Sequence, residues 1–269
     1  MCRVLEVSRS GYYKWLNSGA SATKQRRMEL LGRIENIYAR SKERYGHRRV
    51  HQQLKREGMN CNHKTVEKLM REHEMKPRRK RKYKSTTDSK HTLPVAKNVV
   101  KRNFTPDRPN QIWVSDITYI DTLDGWLYLT VFIDLYSRMV VGWSMSDSLV
   151  ADAVVSAYEM AVRRRGVNPE IVHSDRGIQY ASELFRNQLP KTCRQSMSRK
   201  ANCWDNAVAE SFFGSIKSEL IYHETFRTRK AAELSIFEYI EIFYNRQRLH
   251  STLGYITPEE FDLKGKKAA

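Results

Sequence analysis

Three carboxylates, Asp116, Asp175 and Glu210, carry the strongest chemical signal in this sequence. Fifty-eight residues separate the first two and thirty-four separate the last two, and each lies in a stretch whose pattern otherwise argues for burial. Carboxylates gathered about 4 Å apart at an effective dielectric near 20 repel by roughly 4 kcal/mol per pair, so such a cluster must protonate or hold a cation. Oxygen-only donors point to a hard ion, Mg²⁺ or Mn²⁺. Two such ions would suit an in-line displacement at phosphorus, and the expected chemistry is phosphodiester transfer. On spacing alone, Asp116 and Asp175 read equally well as ordinary strand-end acids.

The elements that must position the acids can be read from periodicity. Ile112 to Ile120 is rich in β-branched and aromatic residues, and period 2 puts Asp116 on the face of Ile112, Val114 and Ile120. Glu170 to Asp175 predicts a short buried strand with Arg176-Gly177 as the turn after it. From Asp205 the period becomes helical, with Val208, Phe212, Ile216 and Leu220 apolar, Asp205 as N-cap and Glu210 in the second turn. Further strands are predicted over 126–134 and 139–145, and helices near 152–165 and 182–189. Strands followed by alternating helix and strand make a mixed α/β sheet.

Five blocks of sequence resemble the OrfB-type transposases of the bacterial insertion-sequence-three family. They are Trp113-Val-Ser-Asp116-Ile-Thr-Tyr119, Ile133-Asp-Leu-Tyr-Ser-Arg138, His173-Ser-Asp175-Arg-Gly-Ile-Gln-Tyr180, the run from Ser196 to Phe213, and the run from Tyr244 to Pro258. The resemblance covers nearly the whole chain in the expected order. It implies a retroviral-integrase-like, ribonuclease H-like catalytic core, with a mixed sheet flanked by helices. It also implies a DDE triad on Asp116, Asp175 and Glu210, acting as catalytic residues and metal ligands. The segment 191–195 departs from this pattern, since a more apolar strand is expected there.

Composition agrees with a nucleic-acid partner. The 269 residues carry a net charge of +18, and from Lys76 to Arg102 there are eleven Lys or Arg and one acid, Asp88. Such a run reads as a solvated linker that also grips phosphate through Arg79, Lys80, Arg81 and Lys82. No apolar run approaches a membrane span, and a cytoplasmic protein associated with the nucleoid is expected. The four scattered cysteines read as reduced thiols.

Ahead of the linker, apolar spacing predicts a helix over 28–39, then a helix over 48–57 stopped by Gly58, and a helix over 64–73 that buries Val66, Leu69 and Met70. The last offers Lys64, Lys68 and Arg71 outward. A plain helical bundle and a helix-turn-helix fit this pattern equally, and the resemblance favours the helix-turn-helix. His47, His51, Cys61 and His63 invite a zinc reading, but Cys-x-His lacks the usual two-residue gap, and solvated histidines account for them better. Residues 5–15 look like half of another such motif with Ser8 as N-cap, and a start in mid-motif is expected. The domains expected are a helical DNA-binding region over 1–75, a basic linker over 76–105, a core over 106–225 and a helical extension over 226–269.

Around the triad, Asn206, Phe213, Gly214 and Lys217 share a helix face with Glu210. Lys217 is expected to hold the DNA end, as lysines beyond the glutamate do in integrases this core resembles. Arg199 and Lys200 are expected on phosphate, and Gly214 serves either packing or close approach of DNA. His173 reads as a satisfied strand histidine, and Arg138 as the partner of an internal acid. The tail over 228–245 predicts a helix with a wide apolar stripe, followed by Arg246, Arg248 and His250 facing DNA, and then a capping box at Thr257-Pro-Glu-Glu260. The expected partners are element ends and target DNA, the product of an upstream OrfA frame or a fusion with it, and further copies of the chain. The rival readings are a regulatory DNA-binding subunit without catalysis and a nuclease that cuts RNA in hybrids.

The linker reading has a quantitative consequence. Neutralising Lys80, Arg81 and Lys82 should weaken binding to all DNA sequences alike and flatten the salt dependence by about 0.9 in log–log slope per lost phosphate contact. A loss confined to one sequence, with the slope unchanged, would assign these residues to base reading instead.

Overall fold

The computed structural model describes residues 2–19, 21–78, 93–199 and 203–268, without the side chains of 203, 204 and 266–268. The chain divides into two compact units, Met1–Arg78 and Arg79–Ala269.

The first unit is helical. Helix α1 (Arg9–Asn17) starts at Ser8, whose side chain accepts from the Gly11 amide as expected, and it buries no residue. The other three helices are α2 (Ala22–Arg40), α3 (His47–Arg56) and α4 (His63–Glu72). They bury Leu30, Ile34 and Ile37 from α2, Val50 and Leu54 from α3, and Val66, Leu69 and Met70 from α4. Helix α2 begins earlier than periodicity suggested because Ser21 caps it, accepting from the Lys24 amide at 3.3 Å. After α3 the chain turns through Gly58, at φ +79°, and Asn62 then caps α4.

The second unit is built on a five-stranded sheet in the order β3-β2-β1-β4-β5. Its strands are β1 (Ile112–Ile120), β2 (Leu127–Asp134), β3 (Val140–Ser146), β4 (Ile171–Ser174) and β5 (Arg194–Met197). The first three form an antiparallel meander, and β4 and β5 add parallel to β1. Helix α5 (Ala151–Arg165) packs on β3 at Gly142, where a Cβ would sit 2.2 Å from the Ala157 carbonyl oxygen. Trp113, Phe132, Val154, Tyr158, Val172, Tyr180 and Phe185 belong to the core beneath.

Three expectations change. The helix near 182–189 is two short ones, α6 (Ile178–Ala181) and α7 (Glu183–Arg186), because Ser182 is extended and caps the second. The polar segment before Met197 does form a strand, β5, at the edge of the sheet, where Arg194 can remain exposed. Asp205 does not cap the next helix. It lies in a 3₁₀ turn (Cys203–Asn206), and α8 (Ala207–Glu219) starts after it, so Glu210 stands in the first turn of α8.

The tail folds back onto this unit. Helix α9 (Arg229–Phe237) runs into a π-helical segment (Glu238–Tyr244) that buries Tyr239, Ile240, Phe243 and Tyr244, while Leu234, Phe237 and Ile242 remain exposed. Asn245 accepts from the Val140 amide and donates to its carbonyl, both at 3.0 Å, serving that residue as a neighbouring strand would. Arg248 does not face outward: it is buried, with Nη2 2.8 Å from Glu219 on α8 and Tyr239 donating to the same carboxylate. Arg246 pairs with Glu259, and His250 Nδ1 bonds the Thr252 hydroxyl. Arg138 donates to the Phe104 carbonyl and feels the buried Asp134 electrostatically, while the Asp134 carboxylate itself is held by Arg165. The last helix, α10 (Pro258–Ala268), begins with the expected capping box, Thr257 and Glu260 bonding each other's amides. Among the described residues, no helix is long and apolar enough to cross a membrane, and Cys2, Cys61 and Cys193 are free thiols.

Removing one member of a buried ion pair strands the other. Glu219→Ala should therefore destabilise the chain by about 3–5 kcal/mol. The midpoint of urea unfolding would report it, and an unchanged midpoint would show that Arg248 does not depend on this partner.

Candidate active site

The site is set by strand register. Parallel pairing of β1 with β4 puts Val114 beside His173, so Asp116 on β1 and Asp175, just past the end of β4, lie two residues further along on neighbouring strands. Asp116 is half-buried, and its Oδ1 accepts from the Ile117 amide at 2.8 Å. Its pKa stands well above the usual carboxylate range, first because burial disfavours the anion and next because Asp175 is close. The Ile117 bond opposes this, Glu210 adds to it, and Lys217 opposes it again. Asp175 Oδ1 accepts from the Gly177 amide at 2.9 Å, and a Cβ at Gly177 would stand only 3.0 Å from that oxygen.

Glu210 lies on the exposed side of α8, with its pKa raised by desolvation. Lys217, two turns further along, is half-buried and holds its Nζ 5.3 Å from the centre of the Tyr119 ring. Burial lowers its pKa, and Asp116 pulls it back up. The three acids and Lys217 thus share one electrostatic neighbourhood. Among the described residues, no three His, Cys, Asp or Glu side chains are already gathered as a closed metal site. The donor set nevertheless fits a hard divalent cation. It is made of carboxylate oxygens only, and burial and Asp175 disfavour the Asp116 anion, a penalty that a cation would relieve.

The other expected site residues scatter. Arg199 is held by Asp205 at 2.9 Å, and its backbone amide donates to the same carboxylate. Lys64, Lys68 and Arg71 are exposed on α4 in the first unit, with Lys68 3.9 Å from Glu72. Lys200, Arg79, Lys80, Arg81 and Lys82 lie outside the described residues. His51 and His63 come near each other, with ring centres 6.1 Å apart, yet His51 Nε2 bonds the Cys61 carbonyl and no zinc cluster forms among the described residues. His173 is satisfied as expected. Its Nε2 faces the Asp205 carbonyl at 2.9 Å, so that nitrogen carries the proton, while Nδ1 receives the Ser196 hydroxyl.

Sequence reasoning gave Tyr180 no role, and it placed Asn206 on the Glu210 helix face and Asp205 at the N-cap without the bonds they make. Tyr180 lies fully buried against the acids, with its hydroxyl 2.8 Å from Ser115 Oγ and its pKa raised by burial, Asp116 and Asp175. Asn206 Nδ2 donates to the Ser115 carbonyl at 3.2 Å. For Tyr180, nearness in sequence to Asp175 was the one hint.

A family model for the integrase core domain matches residues 106–203, and a second integrase core model matches 210–264. An HTH-like domain model matches residues 25–83. The transposase InsF for insertion sequence IS3A of Escherichia coli (strain K12) is 42% identical over 268 residues, which is 98% of this chain and 93% of that protein. The chain belongs to the IS3-type transposases. The 31 kDa protein of insertion element IS600 from Shigella sonnei is likewise 42% identical, over 97% of both chains. A chain of the simian T-cell lymphotropic virus intasome in complex with PP2A regulatory subunit B56 gamma superposes with a TM-score of 0.50 at 15% identity, covering 85% of this chain and 74% of that one. The second unit of this transposase therefore has the integrase fold expected from the resemblance.

The raised pKa of Asp116 fixes the sign of a pH effect. A carboxyl whose folded pKa exceeds its unfolded value of about 3.9 contributes stability that is present below that value and lost as pH rises through the folded pKa. Asp116→Asn should therefore unfold at a higher temperature than wild type at pH 7.5 in chelator, with the gap closing near pH 4. Equal unfolding temperatures at pH 7.5 would show that the site tolerates the anion.

Proposed function

We propose that Asp116, Asp175 and Glu210 are the DDE acids of this transposase and that together they hold Mg²⁺ or Mn²⁺, two ions in the active complex. The substrate is DNA at insertion-sequence ends. One strand is cut by water, which leaves a 3′ hydroxyl, and that hydroxyl then attacks a phosphodiester of the target. Bound at these acids, the cations would activate the entering oxygen and stabilise the departing one. The reading rests on the register that sets Asp116 beside Asp175, with Glu210 close enough to raise the Asp116 pKa further.

The chain's own groups divide the remaining work. Lys217 keeps its ammonium beside the acids and holds a phosphate of the DNA end. No Ser or Tyr is assigned as nucleophile, because the attacking groups are water and the DNA hydroxyl. Tyr180 keeps its proton and supports Ser115 from below. Lys64, Lys68 and Arg71 on α4 meet DNA in the first unit, and the basic run through Arg79, Lys80, Arg81 and Lys82, with Lys200, adds phosphate contacts. Arg199 is better read as an anchor for Asp205 than as a free phosphate contact. The assembly on DNA contains several copies of this chain, and the upstream OrfA product, fused or separate, supplies end recognition. The protein works at the nucleoid in the cytoplasm.

Labelled element ends with Mg²⁺ test the assignment. Asp116→Asn, Asp175→Asn and Glu210→Gln should each reduce nicking and joining to background, with DNA affinity kept. Wild-type joining by any one of them removes that residue from the triad.

A further inference from the structure

The helix that carries Glu210 starts without a side-chain cap. Asn206, in the N-cap position of α8, makes no capping bond, and its amide reaches the Ser115 carbonyl, one residue from Asp116. The Asp205 carbonyl receives His173 Nε2, two residues before Asp175. The entry to α8 is thus stitched to both strands that carry the other two acids.

The carboxylate of Asp205 secures that entry. Its side chain is fully buried, yet it accepts five bonds: Arg199 Nε at 3.0 Å, Arg199 Nη2 at 2.9 Å, the Arg199 amide at 2.9 Å, Arg102 Nε at 3.1 Å and Asn98 Nδ2 at 2.9 Å. Arg102 and Asn98 lie ahead of β1, and Arg199 follows β5, so one distant stretch and one near stretch of chain converge on Asp205, five residues before Glu210. A hydroxyl cap would start a helix at less desolvation cost than a buried carboxylate with two guanidinium partners. What the ionic arrangement adds is a fixed placement of the turn.

We propose that Asp205 is the positioning residue of Glu210, clamped by Arg102 and Arg199 so that the first turn of α8 holds Glu210 in place against Asp116 and Asp175. This rests on the assignment of Glu210 as a catalytic acid. Arg102 and Arg199 are about half exposed, and neither is the sole partner of Asp205, so Arg102→Gln and Arg199→Gln should keep the fold where Asp205→Asn risks losing it.

The test uses the full chain. In metal-free buffer, amides 207–211 should exchange with deuterium about tenfold faster in each arginine variant, with those of β1 and α5 unchanged. The Mg²⁺ concentration that half-saturates nicking should rise several-fold, with DNA affinity unchanged. Arg102→Lys, which keeps the charge, should recover part of both effects. Wild-type exchange at 207–211 together with a wild-type Mg²⁺ midpoint in both variants would overturn the proposal. So would a loss of DNA affinity at an unchanged Mg²⁺ midpoint, which would make the arginines phosphate contacts. Failure of the underlying assignment looks different: Glu210→Gln would nick normally while the arginine variants still loosened residues 207–211.

Discussion

Like-charge repulsion between Asp116, midway along β1, and Asp175, just past the end of β4, is the constraint around which the second unit is organised. Asp116 is disfavoured as an anion by burial and by Asp175, and no chain would gather such groups unless something stronger held the backbone beneath them. Backbone pairing does so, since Ile112, Trp113 and Val114 pair with Ile171, Val172 and His173. The side chains below add to it, Tyr180 with Ser115 and His173 with Ser196. All of these are neutral, so they stiffen the floor of the site without neutralising the acids above.

Charged tethers appear one layer further out. Asp205 joins the segment ahead of β1 to the entry of α8, and Glu219 joins the far end of α8 to Arg248 of the tail. A third, Arg165 between Asp134 and Asp262, ties α5 and β2 to α10. In each case the tie joins elements far apart in sequence, and the buried charge within it is compensated by the partners it holds. The helix that carries Glu210 is therefore secured at both ends. Several of the chain's 30 acids are engaged inside these tethers, and cations remain in excess on a chain of net charge +18.

These tethers also mark the limit of what the sequence reveals. β1 was legible to the residue because alternation and β-branching are local signals, and the capping box at Thr257 was legible because both partners lie within four residues. Arg248 was misread as DNA-facing because a basic composition makes every arginine look like a phosphate ligand. Its partner is another element's acid, and nothing short of the fold brings Glu219 to Arg248. Asp205 failed as an N-cap for the same reason. Its side chain could bond locally to amides, but the arginines on either side of it in space offered more donors.

Gly214 separates two explanations that the sequence left open. A glycine inside a helix is unfavourable by about 0.8–1 kcal/mol relative to alanine, so its presence asks for a reason. Packing is not the reason, because nothing lies within 4 Å of where its Cβ would stand, and the residue is exposed. Backbone strain is not the reason either, since Gly214 is absent from the glycines at positive φ. What remains is the face itself. Gly214 lies between Glu210 and Lys217, one turn from each, on the exposed surface of α8. A bare helix surface there leaves the space between Glu210 and Lys217 free of an intervening side chain, and the stability forgone in α8 is small beside what its two ionic anchors hold in place.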